Sequence, residues 1–408
     1  MITPLHMISA SSSLSHRVSN LRPTAVNSIL AEVRQVQAEG GDLVSLMRGE
    51  PDMGTPQHIV EAATQALANR RTTYPDNRGE PALREAIAEK LLRENRLSYD
   101  AASEILVTSG ATYGIYAALA ATLNEGDEVL LPDPIYDAYN SPIHLVGGRV
   151  RPVRAALRGN RFHLDVAALE AAWSPACKLL LLNTPWNPVA TVLSELELTQ
   201  IATFAERKNL WIISDEIYEA IVYEGHRHLS PAVLSDKLRD RTVLVNSFSK
   251  TYAMTGWRVG YCAGSREVIQ AMFLVLQQSS RGPATFVQDA AAMALRGPQE
   301  CVAQMQAEYS RRRAMVLRQL DQIPGVRVLP PEGGFFAMVD IRQLGLPSDA
   351  VRRRLLAEFG VVVVHGAAYG AGGEGTLRVS FASGGENLAR ELDRLRRGLL
   401  VIGHGGPA

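Results

Sequence analysis

Short apolar runs alternate with segments of helical periodicity through the middle of the chain, from Ile105 to Ala263. Each run is too short for a typical helix and has the aliphatic, β-branched composition of a buried strand. The runs are Glu104–Ser109, Glu128–Leu131, Lys178–Leu182, Leu210–Ser214 and Thr242–Val245. Strands that alternate with helices form mostly parallel sheets covered by helices, so this part of the sequence predicts an α/β fold.

The remainder of the 408-residue chain predicts a second unit. Towards the C-terminus, helices near Gln299–Leu320 and Ser348–Glu358 alternate with short strands, which is typical of an α+β domain. These strands are predicted at Val326–Leu329, Phe335–Asp340, Val361–Val364 and Thr376–Phe381. Near the N-terminus, Thr24–Glu39 predicts an amphipathic helix that ends at Gly40. Residues up to about Ser12 are expected to form a loose arm.

Charge and cysteine content exclude several classes of function. Basic and acidic residues both number 42, and this balance argues against nucleic-acid or membrane-surface partners. The widely spaced Cys177, Cys262 and Cys301 suggest neither a disulfide framework nor a metal site, and they fit a cytoplasmic location. The N-terminus lacks the pattern of a signal peptide, and no apolar run approaches the length of a membrane span.

Lys250 is the first candidate for chemistry. It lies just after the predicted strand Thr242–Val245, close in sequence to Phe248 and Trp257. Burial and a nearby cation such as Arg258 both disfavour an ammonium group, so the amine can be neutral near physiological pH and attack a carbonyl. The alternative is a lysine whose stem covers apolar surface while its charge reaches water.

A longer motif surrounds this lysine. Ser-Phe-Ser-Lys, seven further residues and Arg-Val-Gly-Tyr occupy residues 247–261. The motif resembles the cofactor-lysine signature of pyridoxal-phosphate aminotransferases of fold type I, the aspartate aminotransferase family. The resemblance implies that Lys250 joins pyridoxal 5'-phosphate as a Schiff base, that Arg258 binds the phosphate and that Ser247 donates a hydrogen bond to it. A guanidinium suits this role because its planar donors meet phosphate oxygens in pairs.

Asp215 and Tyr218 follow the predicted strand Leu210–Ser214 at its carboxyl end, where open α/β sheets bind ligands. A carboxylate at this position could simply cap a helix. The resemblance instead implies that Asp215 pairs with the pyridinium nitrogen and keeps the ring an electron sink. It also implies that Tyr218 and Asn187 share the cofactor's phenolic oxygen.

Asn187 lies in Asn-Thr-Pro-Trp-Asn-Pro-Val-Ala, which is similar to the family pattern Asn-x-Pro-x-Asn-Pro-Thr-Gly. Val189 and Ala190 replace the usual Thr-Gly, which leaves open whether the usual turn hydrogen bond forms. Trp186 either narrows the substrate pocket or is a buried structural indole.

Two further segments are implied to hold the cofactor. The turn Gly110-Ala111-Thr112 precedes a predicted helix from Tyr113 to about Leu123, and a helix N-terminus of this kind favours an anion. In the resembled family, Ala111 and Thr112 correspond to donors to the phosphate. Tyr136 corresponds to the aromatic residue that stacks on the pyridine ring, and a core tyrosine is the alternative.

The resemblance also implies substrate contacts and a partner subunit. Gly49, in a Gly-Glu-Pro-Asp turn, would approach the substrate carboxylate, and Arg378 would bind the α-carboxylate in a bidentate fork. Tyr74 would reach the cofactor phosphate of a partner subunit, which implies a homodimer with shared active sites; a turn tyrosine is the alternative. Arg281 is predicted to contact acidic substrate side chains or, in the simpler interpretation, to be a solvated arginine.

Two other motifs do not predict a site. Gly370-x-Gly372-x-x-Gly375 matches a dinucleotide fingerprint, but a strand-like alternation follows it where that fingerprint requires a helix. His226-Arg227-His228 has no carboxylate or cysteine at ligand spacing, so it predicts a surface turn and no metal site.

The resemblance extends from about Ser13 to Leu400 and implies the fold type I architecture. A large domain, residues 48–290, would contain a mostly parallel seven-stranded sheet. Residues 1–47 and 291–408 would form a smaller α+β domain.

The implied activity is ping-pong transfer of an amino group from an α-amino acid to a 2-oxo acid. Two alternatives to this activity stay open. One is a pyridoxal-phosphate-dependent lyase (β- or γ-elimination) or racemase, and the other is a non-enzymatic regulator. The identity of the substrates also stays open.

Overall fold

The computed structural model describes residues 15–19, 21 and 23–404. The predicted loose arm up to about Ser12 lies outside these residues. In chain order, the strands are β1 (Val44–Ser45), β2 (Ile105–Thr108), β3 (Glu128–Asp133), β4 (Arg149–Arg154), β5 (Ala156–Arg158), β6 (Arg161–His163), β7 (Cys177–Asn183), β8 (Trp211–Asp215), β9 (Thr242–Ser247), β10 (Gly260–Ala263), β11 (Arg327–Leu329), β12 (Phe336–Asp340), β13 (Val361–Val362), β14 (Val364–His365) and β15 (Thr376–Ser380).

The α-helices are α1 (His16–Ser19), α2 (Ala25–Ala38), α3 (Gln57–Ala68), α4 (Pro81–Lys90), α5 (Ala111–Thr122), α6 (Asn140–Leu145), α7 (Val166–Ala172), α8 (Glu195–Arg207), α9 (Asp236–Arg241), α10 (Phe248–Thr251), α11 (Arg266–Ser279), α12 (Thr285–Arg296), α13 (Glu300–Leu320), α14 (Ser348–Phe359) and α15 (Gly385–His404). None of the helices in the described part of the chain is long and apolar enough to cross a membrane.

A seven-stranded sheet forms the centre of the larger part, in the order β2-β10-β9-β8-β7-β3-β4. Only β10 runs antiparallel to its neighbours, β2 and β9, and the other pairs are parallel. The run Leu179–Leu182 in β7 is almost completely buried, because helices cover both faces of the sheet. The predicted α/β fold with a mostly parallel seven-stranded sheet is confirmed.

The carboxyl ends of several strands meet at one edge of this sheet. β7 ends at Asn183, β8 at Asp215 and β9 at Ser247. β2 ends at the same edge and leads into α5, because the antiparallel β10 lies between β2 and β9. β10 therefore begins at this edge, directly after Arg258. The sheet order collects distant sequence motifs in one place.

The predicted C-terminal α+β unit is also confirmed. Its antiparallel sheet has the order β11-β12-β15-β14, and β15 carries Arg378. The N-terminal segment joins this unit, because β1 pairs with β13 in parallel. Ile29 and Val33 of α2 pack in the same apolar cluster as Val362 and Val364. The segment after Gly370 leads into β15, as predicted from its alternation.

The strands β4, β5 and β6 were not predicted from the sequence. Arginine and other polar residues make up much of these strands, so they lack a clear apolar pattern. The β5–β6 hairpin turns at Gly159, whose φ of 57° lies in the left-handed region. Backbone pairing stabilises these strands, β4 with β3 and β5 with β6, although they bury no continuous apolar face.

Candidate active site

A cavity of about 930 Å³ lies at the carboxyl edge of the seven-stranded sheet and extends towards the C-terminal unit. Most of the predicted site residues line it: Gly49, Ala111, Thr112, Tyr136, Asn187, Tyr218, Ser247, Lys250, Arg258 and Arg378. Asp215 is buried beside the cavity, and Tyr139, which lines the cavity, contacts it. The tertiary structure therefore brings these residues together as the sequence predicted, with the exception of Tyr74.

Lys250 follows β9 in the short helix α10 and is partly buried. Its Nζ donates a hydrogen bond to the carbonyl oxygen of Gly49 at 2.6 Å. Burial lowers the pKa of Lys250 to about 8, and the positive charges of Arg258 and Arg378 act in the same direction against the opposing carboxylates of Glu50 and Asp215. A substantial fraction of this amine is therefore neutral at mildly alkaline pH.

Asp215 is 2% exposed at the end of β8. Its Oδ2 accepts a hydrogen bond of 2.6 Å from the hydroxyl of Tyr139, and its Oδ1 accepts one of 3.2 Å from the backbone N–H of Ile217. Burial raises the pKa of Asp215 to about 6, while the bond from Tyr139 opposes that rise. Asp215 is thus a buried carboxyl group that is mostly ionised at neutral pH and takes up a proton near pH 6.

Arg378 is the most deeply buried cation that lines the cavity, with 2% of its surface exposed. One terminal nitrogen donates to Asn187 Oδ1 at 3.2 Å, and the other donates to the carbonyl of Met47 at 3.3 Å. Its guanidinium carbon lies 4.2 Å from the centre of the Phe336 ring. Its buried Nε has no hydrogen-bond partner among the described residues. A carboxylate bound here would therefore supply the acceptor that the Arg378 Nε lacks.

The amino end of α5 lies close to Arg258. The preceding Gly110 has a φ of 84°, and a Cβ atom there would lie 2.7 Å from a terminal nitrogen of Arg258, so glycine is required. Arg258 also has a left-handed backbone, with a φ of 54°. The Ser247 hydroxyl, which lines the same cavity, donates to Ser249 Oγ at 2.8 Å. Free helix N–H groups beside a guanidinium form a good anion site.

Two predicted aromatic residues occupy different positions in the cavity wall. Tyr136 meets the ring of Tyr139 edge-on at 5.5 Å, and its backbone N–H donates to the carbonyl of Asn187 at 3.0 Å. Tyr218 is 4% exposed and packs edge-on against Phe335 at 5.6 Å. Burial raises the pKa of both phenols, which keeps each hydroxyl protonated and able to donate a hydrogen bond.

Tyr74 and Arg281 lie outside this cavity. The Tyr74 side chain is 87% exposed, and the guanidinium carbon of Arg281 lies 6.0 Å from the centre of its ring. Neither residue lines the cavity formed by its own chain. The implied role of Tyr74 and the predicted substrate contact of Arg281 stay predictions that need a second subunit.

The segment around Asn187 settles two alternatives. Trp186 is 2% exposed and its Nε1 donates to the carbonyl of Pro134 at 3.0 Å, so it is a structural indole outside the cavity. Ala190 adopts a φ of 61°, and its N–H donates to the carbonyl of Trp186 at 2.6 Å. The turn hydrogen bond therefore forms although alanine replaces glycine.

The prediction of a surface turn at 226–228 is correct for His226 and Arg227, which are exposed, and wrong for His228. The His228 imidazole is buried, and its Nε2 lies 2.9 Å from Glu216 Oε2. Glu216, Glu219 and His228 place ligand atoms within 4.8 Å of one another. Glu216 and Glu219 precede His228 by only twelve and nine residues, but that spacing matches no metal-ligand motif, so only the folded loop shows the cluster. Lys90 already pairs with Glu219, so the cluster has a counterion within the protein.

Sequence reasoning also missed two residues that support the site. Tyr139 follows Tyr136 by three residues. This helical spacing predicts that the two side chains lie on the same side of the chain, and it was the one sequence pattern that could have identified Tyr139. Asn183 is the last residue of β7; its side chain donates to the Asp215 carbonyl at 3.0 Å and accepts from the Asn187 N–H at 2.8 Å. Asn183 thereby couples the ends of β7 and β8 to the segment that carries Asn187.

We expect Lys250 to react with small aldehydes at lower pH than exposed lysines, because its pKa is lowered to about 8. The measurement is reductive methylation with formaldehyde and cyanoborohydride between pH 6 and 11, with the extent at each lysine read by peptide mass spectrometry. The labelling midpoint of Lys250 should lie near pH 8. Lys237, whose side chain is 63% exposed, controls for general amine reactivity. If the labelling curves of Lys250 and Lys237 had the same midpoint pH, Lys250 would not be a reactive amine of lowered pKa.

Comparison with known proteins agrees with this geometry. Residues 41–395 match the family model of aminotransferase class I and II. The chain is 39% identical over 387 residues to an aspartate aminotransferase of Pyrococcus abyssi, covering 94% of this chain and 97% of that protein. It is 38% identical over 387 residues to an aromatic-amino-acid aminotransferase of Thermococcus litoralis, with the same coverage. The solved aspartate aminotransferase of Rhizobium meliloti, 33% identical, superimposes with a TM-score of 0.91 over 95% of this chain and 99% of that one. The chain therefore belongs to the aminotransferase class I and II family.

Proposed function

We propose that the protein is a pyridoxal-phosphate-dependent aminotransferase that moves an amino group from an α-amino acid to a 2-oxo acid. The observation that carries the proposal is one cavity that joins four complementary features. These are an amine of lowered pKa, a buried carboxyl group, a helix N-terminus beside a guanidinium, and a buried arginine with an unpartnered nitrogen. The family membership supports the same activity.

The residues present fit pyridoxal 5'-phosphate. Gly110 leaves space for Arg258 beside the N–H groups of Ala111 and Thr112, and this end of the cavity suits a phosphate. When bound, the cofactor supplies an aldehyde for the lysine and a protonated ring that withdraws electrons from the substrate Cα. Lys250 and Asp215 provide the amine and the carboxylate which that chemistry requires. The proposed binding set is Ala111, Thr112, Tyr136, Asn187, Asp215, Tyr218, Ser247, Lys250 and Arg258, with Tyr74 from a partner subunit.

Asp215 keeps a proton on the ring nitrogen in this proposal. Its burial excludes water, so the attraction between a carboxylate and a protonated nitrogen is stronger than at the surface. Tyr139 orients the carboxylate and favours its charged form. Tyr218 and Asn187 lie along the cavity wall, and their side chains can donate to a phenolic oxygen.

Arg378 binds the α-carboxylate of the amino acid. Its unpartnered Nε and one terminal nitrogen can form a bidentate pair, while Asn187 and Met47 hold the guanidinium in place. Lys250, held at Gly49, would act as the general base that removes the Cα proton, and with the cofactor bound it would return that proton to the cofactor's C4′ carbon. A pKa of about 8 suits this transfer because the amine can gain and lose the proton near physiological pH. Release of the first 2-oxo acid before the second binds gives ping-pong kinetics.

Elimination and racemisation begin with the same Cα proton and are the competing functions. The decisive experiment loads the purified protein with pyridoxal phosphate and adds a panel of amino acids. We expect pyridoxamine phosphate and one equivalent of 2-oxo acid from at least one donor. The variant Lys250→Ala should abolish this conversion, and Lys237→Ala should leave it unchanged. Release of ammonia without pyridoxamine phosphate would indicate a lyase. Conversion of the L-amino acid to its D-enantiomer would indicate a racemase.

We expect Tyr139→Phe to lower kcat by about tenfold, because a buried carboxylate loses a charge-assisted hydrogen bond. The pKa of Asp215 should rise further above its usual range, so the loss should be larger at pH 6 than at pH 8. Steady-state kinetics over this pH range measure both effects. Tyr99→Phe is the matched control, since its buried hydroxyl has no partner among the described residues. Equal kinetics for the two variants would refute a role for Tyr139.

The homodimer with shared active sites is also a proposal, supported by the position of Tyr74. Its ring is 87% exposed although the sequence resemblance gives it a cofactor contact. Exposure of a large aromatic side chain is unusual and is often relieved at an interface. A partner subunit that receives Tyr74 would account for both its exposure and its implied role.

Subunit complementation tests this arrangement. Lys250→Ala and Tyr74→Ala homodimers should each be impaired. Mixing, unfolding and refolding equal amounts should restore about a quarter of the wild-type sites, because hybrids contain one site with both wild-type residues. No recovery, together with a monomeric mass by light scattering, would contradict shared sites.

The division into two domains stays a proposal with partial support. The pairing of β1 with β13 attaches the N-terminal segment to the C-terminal unit. The expected boundary at residue 290 passes through α12, and Ala290 and Ala291 pack in the same apolar cluster. The cytoplasmic location stays a prediction.

A further inference from the structure

One side of the cavity plays no part in the cofactor chemistry. It is lined by Arg48, by Ser383 just before α15, and by Asn387, Arg390 and Glu391 in the first two turns of α15. We call this set the α15 side of the cavity. Asn387, Arg390 and Glu391 are spaced i, i+3 and i+4, so they share one face of the helix. This face borders the same space as Arg378 and Lys250.

Glu391 is the unusual member of this set. Its side chain is 8% exposed, and the buried Oε2 has no hydrogen-bond partner among the described residues. Burial raises the pKa of Glu391 to about 7, while Arg390, the Ser45 N–H and Arg48 favour the charged form. An unsatisfied buried acceptor is costly, so a bound group that donates a hydrogen bond to it would be favoured.

Hydrogen-bond donors lie close to this acceptor. Arg390 is exposed and makes no hydrogen bond or ion pair within the described part of the chain. Arg48 is also partly exposed, and its nearest carboxylate oxygen, on Glu50, lies 3.8 Å away. The α15 side therefore offers one unsatisfied acceptor and two guanidinium groups with spare donors.

This combination selects among the polar ends of amino-acid side chains. In its charged form, which Arg390, Arg48 and the Ser45 N–H favour, Glu391 only accepts hydrogen bonds, so a substrate carboxylate leaves it unsatisfied and is repelled by its charge. An ammonium or guanidinium only donates, and Arg48 and Arg390 repel its charge. A carboxamide has an NH₂ donor and a carbonyl acceptor on neighbouring atoms, which match Glu391 and the arginines.

We propose that the α15 side of the cavity is a subsite for substrates whose side chain ends in a carboxamide, with Glu391 accepting from its NH₂ group and Arg390 or Arg48 donating to its carbonyl. The inference rests on the proposed function, because Arg378 must hold the α-carboxylate for the side chain to enter the remaining space. Glu391 is then a specificity-determining residue. It takes no part in proton transfer.

The first test measures binding and does not depend on turnover. Glutaramate and succinamate are compared with the dicarboxylates glutarate and succinate by calorimetry on the cofactor-loaded protein. At least one carboxamide should bind about tenfold more tightly than its dicarboxylate counterpart. Glu391→Leu should abolish that advantage. Glu386→Gln, an exposed change on the same helix, should preserve it.

Turnover gives the second readout. The kcat/KM for glutamine or asparagine should exceed that for glutamate or aspartate; Glu391→Leu should remove the difference, and Glu386→Gln should preserve it. Equal or tighter binding of the dicarboxylates, or a preference that survives Glu391→Leu, would overturn the subsite. If Glu391→Leu does not fold by circular dichroism, the double variant Arg48→Met/Arg390→Met decides, because both arginines are exposed and either one can donate to the carboxamide carbonyl; it should remove the preference. Failure of the aminotransferase assignment appears separately, as no pyridoxamine phosphate with any donor.

Discussion

The register of the parallel strands β7, β8 and β9 is the constraint on which the site depends. Asn183 pairs with Asp215 across β7 and β8, and Asp215 pairs with Val245 of β9. Because side chains alternate between the faces of a sheet, a slip of one residue would turn Asp215 away from the cavity. The buried leucines of β7 oppose such a slip, since it would exchange the faces on which they pack. The apolar core thus fixes the position of the Asp215 carboxylate, which is proposed to act on the cofactor.

Incompletely paired ionisable groups line this cavity. Arg378 retains an unpartnered Nε, Glu391 an unpartnered Oε2, and Lys250 an amine whose charge burial disfavours. Leaving such groups unsatisfied costs free energy, because buried polar groups are normally hydrogen-bonded. A ligand that completes these interactions is bound more tightly for that reason. The well-packed sheets on either side hold the groups in place before the ligand arrives.

The two parts of the chain contribute different chemistry to the site. The seven-stranded sheet positions Lys250, Asp215 and Arg258, which surround the proposed cofactor. The C-terminal unit contributes Arg378 on β15 and Glu391 on α15, which face the proposed substrate. Substrate choice can therefore change through α15 while the groups around the cofactor stay the same. The relatives named for aspartate and for aromatic amino acids are consistent with such variation within one family.

Local pattern was sufficient for the main strands and for the two units, because periodicity and strand ends are encoded by neighbouring residues. The roles predicted for Lys250 and Arg378 depended on the resemblance to a known family. Tyr139 and Asn183 were missed because only the tertiary fold brings them to Asp215, and His228 was misplaced because its contact with Glu216 depends on how the intervening loop folds. The sequence by itself determined which chemical groups are available and on which kind of element each lies. The tertiary structure decided which of them meet, how far each pKa moves and that Glu391 is left without a donor, because desolvation and hydrogen bonding depend on three-dimensional neighbours.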